Sequence, residues 1–119
     1  NEAFLERFPV TFEQEYPPVK VEKRILGGIA AHLGVTDTNF IARLVDWGDI
    51  IRKTFYDGGI EEIISTRRLV HIVRAFSIFK DKSKALQVCI NRFDDETKQA
   101  FLELYDKVDA EFELPKEEV

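Results

Sequence analysis

The sequence has no methionine and only one cysteine, Cys89. A single cysteine cannot form an internal disulfide, which excludes a disulfide-stabilised secreted domain, and its apolar neighbours predict a buried thiol. No apolar run approaches the roughly 18 residues of a membrane span, and no signal-peptide pattern opens the chain. These absences predict a cytoplasmic protein without a membrane partner.

Catalytic motifs are missing as well. No glycine precedes a lysine, so the chain lacks the GxxxxGK[ST] phosphate-binding loop (Walker A), and no acidic residue closes an apolar strand as in a Walker B magnesium site. His32 and His71 have no cysteine or carboxylate at metal-ligand spacing. We therefore predict no metal site, no cofactor bound by this chain alone and no hydrolytic activity of the chain by itself.

Charge is divided unevenly along the chain, whose net charge is −5. Residues 65–92 contain 7 Lys and Arg against the single Asp81, whereas residues 93–119 contain 10 Asp and Glu against 3 Lys. Because the net charge is negative, we do not expect a nucleic-acid partner. The basic middle indicates either pairing with the acidic end or a local site for an anion.

The apolar spacing predicts one short strand followed by four to five helices. Val10 and Phe12 alternate with polar residues before Pro17 and Pro18, which predicts a strand that has no partner strand in this chain. Helical spacing follows from there to the acidic end, and at 119 residues one domain is expected. The predicted helix ends are Gly34 as a C-terminal glycine, and Thr36 or Asp37, Ser65, Ser83, and Asp94 or Asp95 as N-caps.

Two arginines stand where a helix normally favours acidic residues. If Ser65 is the N-cap, Arg67 and Arg68 lie in the first turn, where a cation costs some tenths of a kcal/mol. Arg67, His71 and Arg74 then form a basic stripe along one side of the helix. The arginines are either solvated at a small penalty, paired with the acidic end, or placed to meet an anion such as a phosphate.

Gly27 and Gly28 lie inside the first predicted helix, where each costs about 1 kcal/mol relative to alanine. Two explanations are open. The glycines allow either a close helix–helix contact or the close approach of a ligand, such as a flat base, at Gly28.

Three segments, taken in order, resemble the C-terminal end of an AAA+ ATPase of the MoxR type, in particular its branch with the cobalt-chelatase subunit CobS. "NEAFLERFPVTFEQEYPP" is similar to the end of the family's α/β core, with Arg7-Phe8 closing a helix and Tyr16-Pro17 after the last strand. "ISTRRL" is similar to the start of a lid helix, and "FELP" to the end of the CobS branch.

The resemblance implies a mainly α fold: a helical AAA+ lid-type bundle preceded by one strand of a truncated α/β core. Residues 1–18 would end the core, 19–112 would form the lid, and 113–119 would be a flexible acidic tail. We therefore expect a piece of a longer protein, with the phosphate-binding loop and most of the sheet outside this chain.

The resemblance also implies a divided nucleotide site. Arg7 matches the arginine finger that acts in trans on the neighbouring subunit, although Glu6 stands where the family often has Asp. Arg67 matches the sensor arginine for the γ-phosphate, with Arg68 as the neighbouring candidate. The whole protein would use ATP and Mg²⁺, form a homo-oligomeric ring, expected to be a hexamer, and act on an unknown client complex such as a metal chelatase.

Two other functions stay open on the residues alone. One is a stand-alone helical protein-interaction module that binds through its acidic C-terminal helix or an exposed apolar face. The other is a helix-turn-helix DNA binder with "STRRLVHIVR" as recognition helix. Binding to DNA that weakens steeply with salt would identify the latter.

Overall fold

A computed structural model describes residues 16–60 and 62–110. In these ranges the protein is helical and contains no strand, which confirms the mainly α fold class and the lid-type bundle. The predicted strand before Pro17 and the predicted tail at 113–119 lie outside the described residues. The five helices are α1 (Val19–His32), α2 (Thr38–Tyr56), α3 (Thr66–Phe79), α4 (Lys82–Ile90) and α5 (Asp95–Val108).

Most helix ends follow from local sequence. The side chains of Asp37, Ser65 and Asp94 accept hydrogen bonds from the amide nitrogens three residues on, at 3.0, 3.2 and 2.8 Å, and so begin α2, α3 and α5. Gly34 follows α1 with a φ of +80°, a backbone conformation that glycine adopts without steric cost. These ends agree with the sequence-based predictions.

The predicted cap of α4 is wrong. Asp81, not Ser83, is its N-cap, and the Asp81 carboxylate accepts from the amide of Lys84 at 3.0 Å. Ser83 lies in the first turn, where its hydroxyl accepts from the Gln87 side chain at 2.9 Å. Both residues are good N-caps, and the helix begins at the earlier one, directly after Lys80 ends α3 in a left-handed conformation.

The core is centred on Trp47 of α2, which is completely buried. Its indole nitrogen donates to the carbonyl oxygen of Phe101 at 2.8 Å, and its ring meets those of Phe101 and Tyr105 edge to face. These contacts hold α5 against α2. The apolar stripes of α2, α3 and α5 supply most of the remaining core, as the helical spacing predicts, except that Phe79 is 40% exposed at the end of α3.

Helices α1 and α3 lie side by side and run in the same direction. They begin together, since the Thr66 hydroxyl donates to the Glu22 carboxylate at 2.7 Å. They end together, since Leu33 and Phe76 line one small groove. Helix α4 packs on α3, and none of the described helices is long and apolar enough to cross a membrane.

The turn between α3 and α4 supplies a test of the fold. Lys80 has a φ of 58°, in the left-handed region that costs a side-chain-bearing residue roughly 1–2 kcal/mol. We expect Lys80→Gly to raise the free energy of unfolding by about 1 kcal/mol, measured by urea denaturation. Lys84→Gly, inside α4, is the control and should lower it by about 1 kcal/mol. A destabilising Lys80→Gly would contradict this account of the turn.

Candidate functional site

The start of α3 presents Arg67 to solvent. Ser65 caps the helix, Thr66 points inward to Glu22, and Arg67 is exposed. Within the described ranges its guanidinium forms neither a hydrogen bond nor an ion pair, so pairing of Arg67 with the acidic end is not seen up to Ala110. Elsewhere in the basic middle, Lys82 does pair with Asp109 of the acidic end, at 3.3 Å. A cation at this end of a helix gains nothing from the helix dipole. An anion bound there would be stabilised both by the helix dipole and by the charge of Arg67.

The basic stripe of α3 continues from this point. His71 and Arg74 are exposed like Arg67 and lie on the same side of the helix. At 1.5 Å per residue, the stripe from Arg67 to Arg74 is about 10 Å long. Its far end, Arg74, lines a groove between α1 and α3.

The groove has a volume of about 440 Å³ and joins apolar walls to basic edges. One row of α1 contributes apolar side chains, of which Ile25 and Leu33 are 39% and 36% exposed. A second row of α1 places Gly28 between two basic residues, at spacings of four. The lining residues are Arg24, Ile25, Gly28, Ile29, His32, Leu33 and Arg74.

Neither Gly27 nor Gly28 is explained by helix packing among the described residues. A Cβ atom built on either glycine would meet nothing within 4 Å. A close helix–helix contact, one of the two open explanations, is therefore not seen at these two positions among the described residues. The alternative, close approach of a ligand to Gly28, stays a prediction.

Arg68 differs from its neighbour in its surroundings. Its side chain is half-buried and donates from Nη1 to the carbonyl oxygen of Cys89 at 3.3 Å. That carbonyl belongs to the last turn of α4, which favours a nearby cation. Cys89 is buried as predicted, and burial raises the pKa of its thiol while the charge of Arg68 opposes the increase. Arg68 thus joins α3 to α4.

A buried ion pair lies directly beneath the start of α3. Arg52 of α2 donates from Nη1 and Nη2 to the two carboxylate oxygens of Glu22 at 2.8 and 2.9 Å. Its Nε donates to the carbonyl oxygen of Ile64 at 3.1 Å, and Thr66 donates to Glu22 at 2.7 Å. Glu22 is completely buried and Arg52 is 6% exposed. The guanidinium also lies 3.9 Å from the centre of the Tyr16 ring.

Glu22 and Arg52 are not among the residues predicted from the sequence, although a signal was present. Glu22 shares one face of α1 with the buried residues Leu26 and Ala30, at spacings of four. Arg52 follows Gly48 on the buried face of α2 in the same way. A charge on an apolar face predicts a buried partner, but the spacing alone does not say which of several opposite charges that partner is.

Two further predictions concern Arg7 and metal binding. Arg7 lies outside the described residues. In the described part of the chain no three His, Cys, Asp or Glu side chains are close enough to hold a metal ion. The candidate site therefore consists of the exposed Arg67 above the buried ion pair, and of the basic stripe that leads from Arg67 to the groove at Arg74.

A family model described as "CbbQ/NirQ/NorQ C-terminal" matches residues 24–108, which is more than half of the chain and includes most of α1 and all of the other helices. The match is consistent with the C-terminal lid of a MoxR-like AAA+ ATPase and confirms that resemblance. The assignment to the CobS branch stays a prediction. No curated protein and no solved structure shows a significant match to the chain.

The ion pair generates a prediction about stability. Glu22→Leu leaves the buried guanidinium of Arg52 without its carboxylate, and we expect a loss of about 3–5 kcal/mol in the free energy of unfolding. The double variant Glu22→Leu, Arg52→Met removes both charges and should recover most of that loss. Urea denaturation of the three proteins measures this. Equal losses in the single and double variants would show that the ion pair does not explain the cost.

Proposed function

Because the chain belongs to the CbbQ/NirQ/NorQ C-terminal family, we propose that it is the lid of an AAA+ ATPase that binds ATP between subunits and uses hydrolysis to remodel or activate a partner complex. The observation that carries the proposal is Arg67, an exposed arginine at a helix start with no partner among the described residues. Family membership favours this function over a stand-alone interaction module and over a DNA-binding helix.

In this proposal Arg67 is the sensor arginine and contacts the γ-phosphate bound to its own subunit. The contact is a charge-assisted hydrogen bond, about twice as strong as one between neutral groups, at a helix end that also favours negative charge. Arg68 is the weaker candidate, because its contact with the Cys89 carbonyl draws it towards α4.

The groove beside the basic stripe fits the remainder of a nucleotide. Gly28 leaves the helix backbone open between Arg24 and His32, and apolar residues of α1 lie next to it. We propose that the base approaches Gly28 while the phosphates lie towards Arg67. The stripe length of about 10 Å suits a ligand with an anionic end and an apolar end.

When bound, ATP would supply the transferable phosphoryl group, and Mg²⁺ would neutralise the charge that develops on it. The described residues fit the phosphate through Arg67 but offer no acidic cluster for the metal. The Mg²⁺ ligands and the phosphate-binding loop therefore belong, in this proposal, to the α/β core of the full-length protein. The part played by this chain is to orient and stabilise negative charge.

Motion and assembly complete the proposed mechanism. Arg67 draws the lid towards the phosphates when they are present and releases it after hydrolysis, so that a rigid-body movement acts on the client. Arg7 would reach the neighbouring subunit's γ-phosphate in a homo-oligomeric ring, which we propose to be a hexamer. A cytoplasmic client, such as a metal chelatase or another complex that requires maturation, fits this role.

Arg67→Ala in the full-length protein tests the proposed sensor. We expect a fall of about 10²-fold in the rate of ATP turnover, because a charge-assisted contact to the reacting phosphate is lost. Lys53→Ala removes a cation whose side chain is 74% exposed and paired only on the surface, and should leave turnover nearly unchanged. Turnover by Arg67→Ala equal to that of the unsubstituted protein would refute the assignment.

Mixing variant subunits tests whether Arg7 acts as an arginine finger on the neighbouring subunit. If Arg7 acts on the neighbouring subunit, mixed rings of Arg7→Ala and Arg67→Ala subunits should regain turnover at interfaces that combine an intact Arg7 with an intact Arg67 from different subunits. Rings of either variant alone should not. Absence of any gain on mixing, when each variant alone is inactive and still assembles, would contradict action in trans.

The glycines of α1 give a third test. Gly28→Ala and Gly27→Ala each place a methyl group in open space and should raise the free energy of unfolding by up to about 1 kcal/mol. Only Gly28 lines the groove beside Arg74, so only Gly28→Ala should weaken nucleotide binding, measured with a fluorescent ATP analogue. Equal affinities in the two variants would exclude a base at Gly28.

A further inference from the structure

The buried guanidinium of Arg52 contacts three separate parts of the protein. It holds Glu22 of α1 through two hydrogen bonds, the carbonyl of Ile64 through a third, and the ring of Tyr16 by stacking at 3.9 Å. Arg52 itself belongs to α2. The contacts therefore join the segment before α1 to the last residue before the N-cap of α3.

The carbonyl of Ile64 and the hydroxyl of Thr66 flank the capping residue Ser65. One accepts from Arg52 and the other donates to Glu22, at 3.1 and 2.7 Å. Both sides of the helix start are thus bonded to the same ion pair, and the next residue is Arg67. A shift of the ion pair would move the backbone from which the Arg67 side chain extends.

Tyr16 brings the segment before α1 into the same contact. Its ring is half-buried against the guanidinium, an arrangement favoured because the face of an aromatic ring attracts a cation. Pro17 and Pro18 follow and restrict the backbone between Tyr16 and α1. A change in the direction of this segment would therefore reach Arg52 through the ring.

We infer that Arg52, together with Glu22, is a positioning residue that couples the segment at Tyr16 to the start of α3 and so sets the placement of Arg67. The inference rests on the proposed contact of Arg67 with phosphate. The coupling is a physical one, through one buried guanidinium, and requires no change within the helices. Misplacement of a charge-stabilising group by about 1 Å is enough to lower a rate by up to about 10²-fold.

A double-mutant cycle in the full-length protein separates positioning from a general effect on folding. The Glu22→Leu, Arg52→Met pair removes both buried charges and should lower kcat for ATP about tenfold, with little change in thermal midpoint. In the Arg67→Ala background the same pair should lower kcat by less than about twofold, since the group that it positions is absent. Lys53→Ala, on the same helix, serves as the surface control.

Each outcome is decisive. If Arg67→Ala alone does not lower turnover, the proposed function fails and the inference fails with it. If Arg67→Ala lowers turnover but the Glu22→Leu, Arg52→Met variant does not, only the positioning role is overturned. The same holds if the Glu22→Leu, Arg52→Met pair still lowers kcat tenfold in the Arg67→Ala background. The split between kcat and KM gives a second check, because a positioning defect confined to the reacting phosphate lowers kcat more than it raises KM.

Thr66 supplies a milder variant in case the double variant does not fold. Thr66→Val removes only the hydroxyl that donates to Glu22, and we expect roughly a threefold loss in kcat that disappears in the Arg67→Ala background. Thr66→Ser keeps the hydroxyl and should restore the rate. A Thr66→Ser protein as slow as Thr66→Val, or a Thr66→Val effect independent of Arg67, would overturn the inference.

Discussion

Glu22 and Arg52 are buried charges, and a charge out of water is tolerated only when it is paired and its remaining hydrogen-bonding groups are satisfied. The pair meets that condition with bonds to α1, α2 and the segment that enters α3. Because each partner belongs to a different element, satisfying the charges also fixes how those elements meet. The ion pair thereby joins the start of α1 to the start of α3, next to the groove between the two helices.

The two arginines after Ser65 have different surroundings as a consequence. With Thr66 held inward by Glu22, the rotation of the first turn is determined, and the neighbouring positions must face other directions. Arg68 lies against α4 and bonds to the carbonyl of Cys89, whereas Arg67 faces solvent. Because the ion pair holds the backbone from which Arg67 extends, less conformational entropy is lost when an anion binds to this exposed cation. This property favours the contact with phosphate that we propose for Arg67.

Sequence patterns predicted the helices well, because the apolar stripes around Trp47 and the caps at Asp37, Ser65 and Asp94 are local features. The cap of α4 was predicted wrongly, since Asp81 and Ser83 are both suitable caps and local sequence does not distinguish them. The close helix–helix contact that was one explanation for Gly27 and Gly28 is not seen among the described residues. The packing of the helices decides which face of α1 contacts another helix, and the space in front of these glycines is open.

For this protein the sequence by itself determined the helical class and the helix starts at Asp37, Ser65 and Asp94, because helix period and capping chemistry are encoded within short segments. Only the tertiary structure decided that Glu22 pairs with Arg52, that Arg68 turns to α4 and that Gly28 faces a groove. Glu22 is 30 residues from Arg52 and Thr66 is 44 residues from Glu22. Contacts at such separations depend on how whole helices pack, which no local pattern specifies.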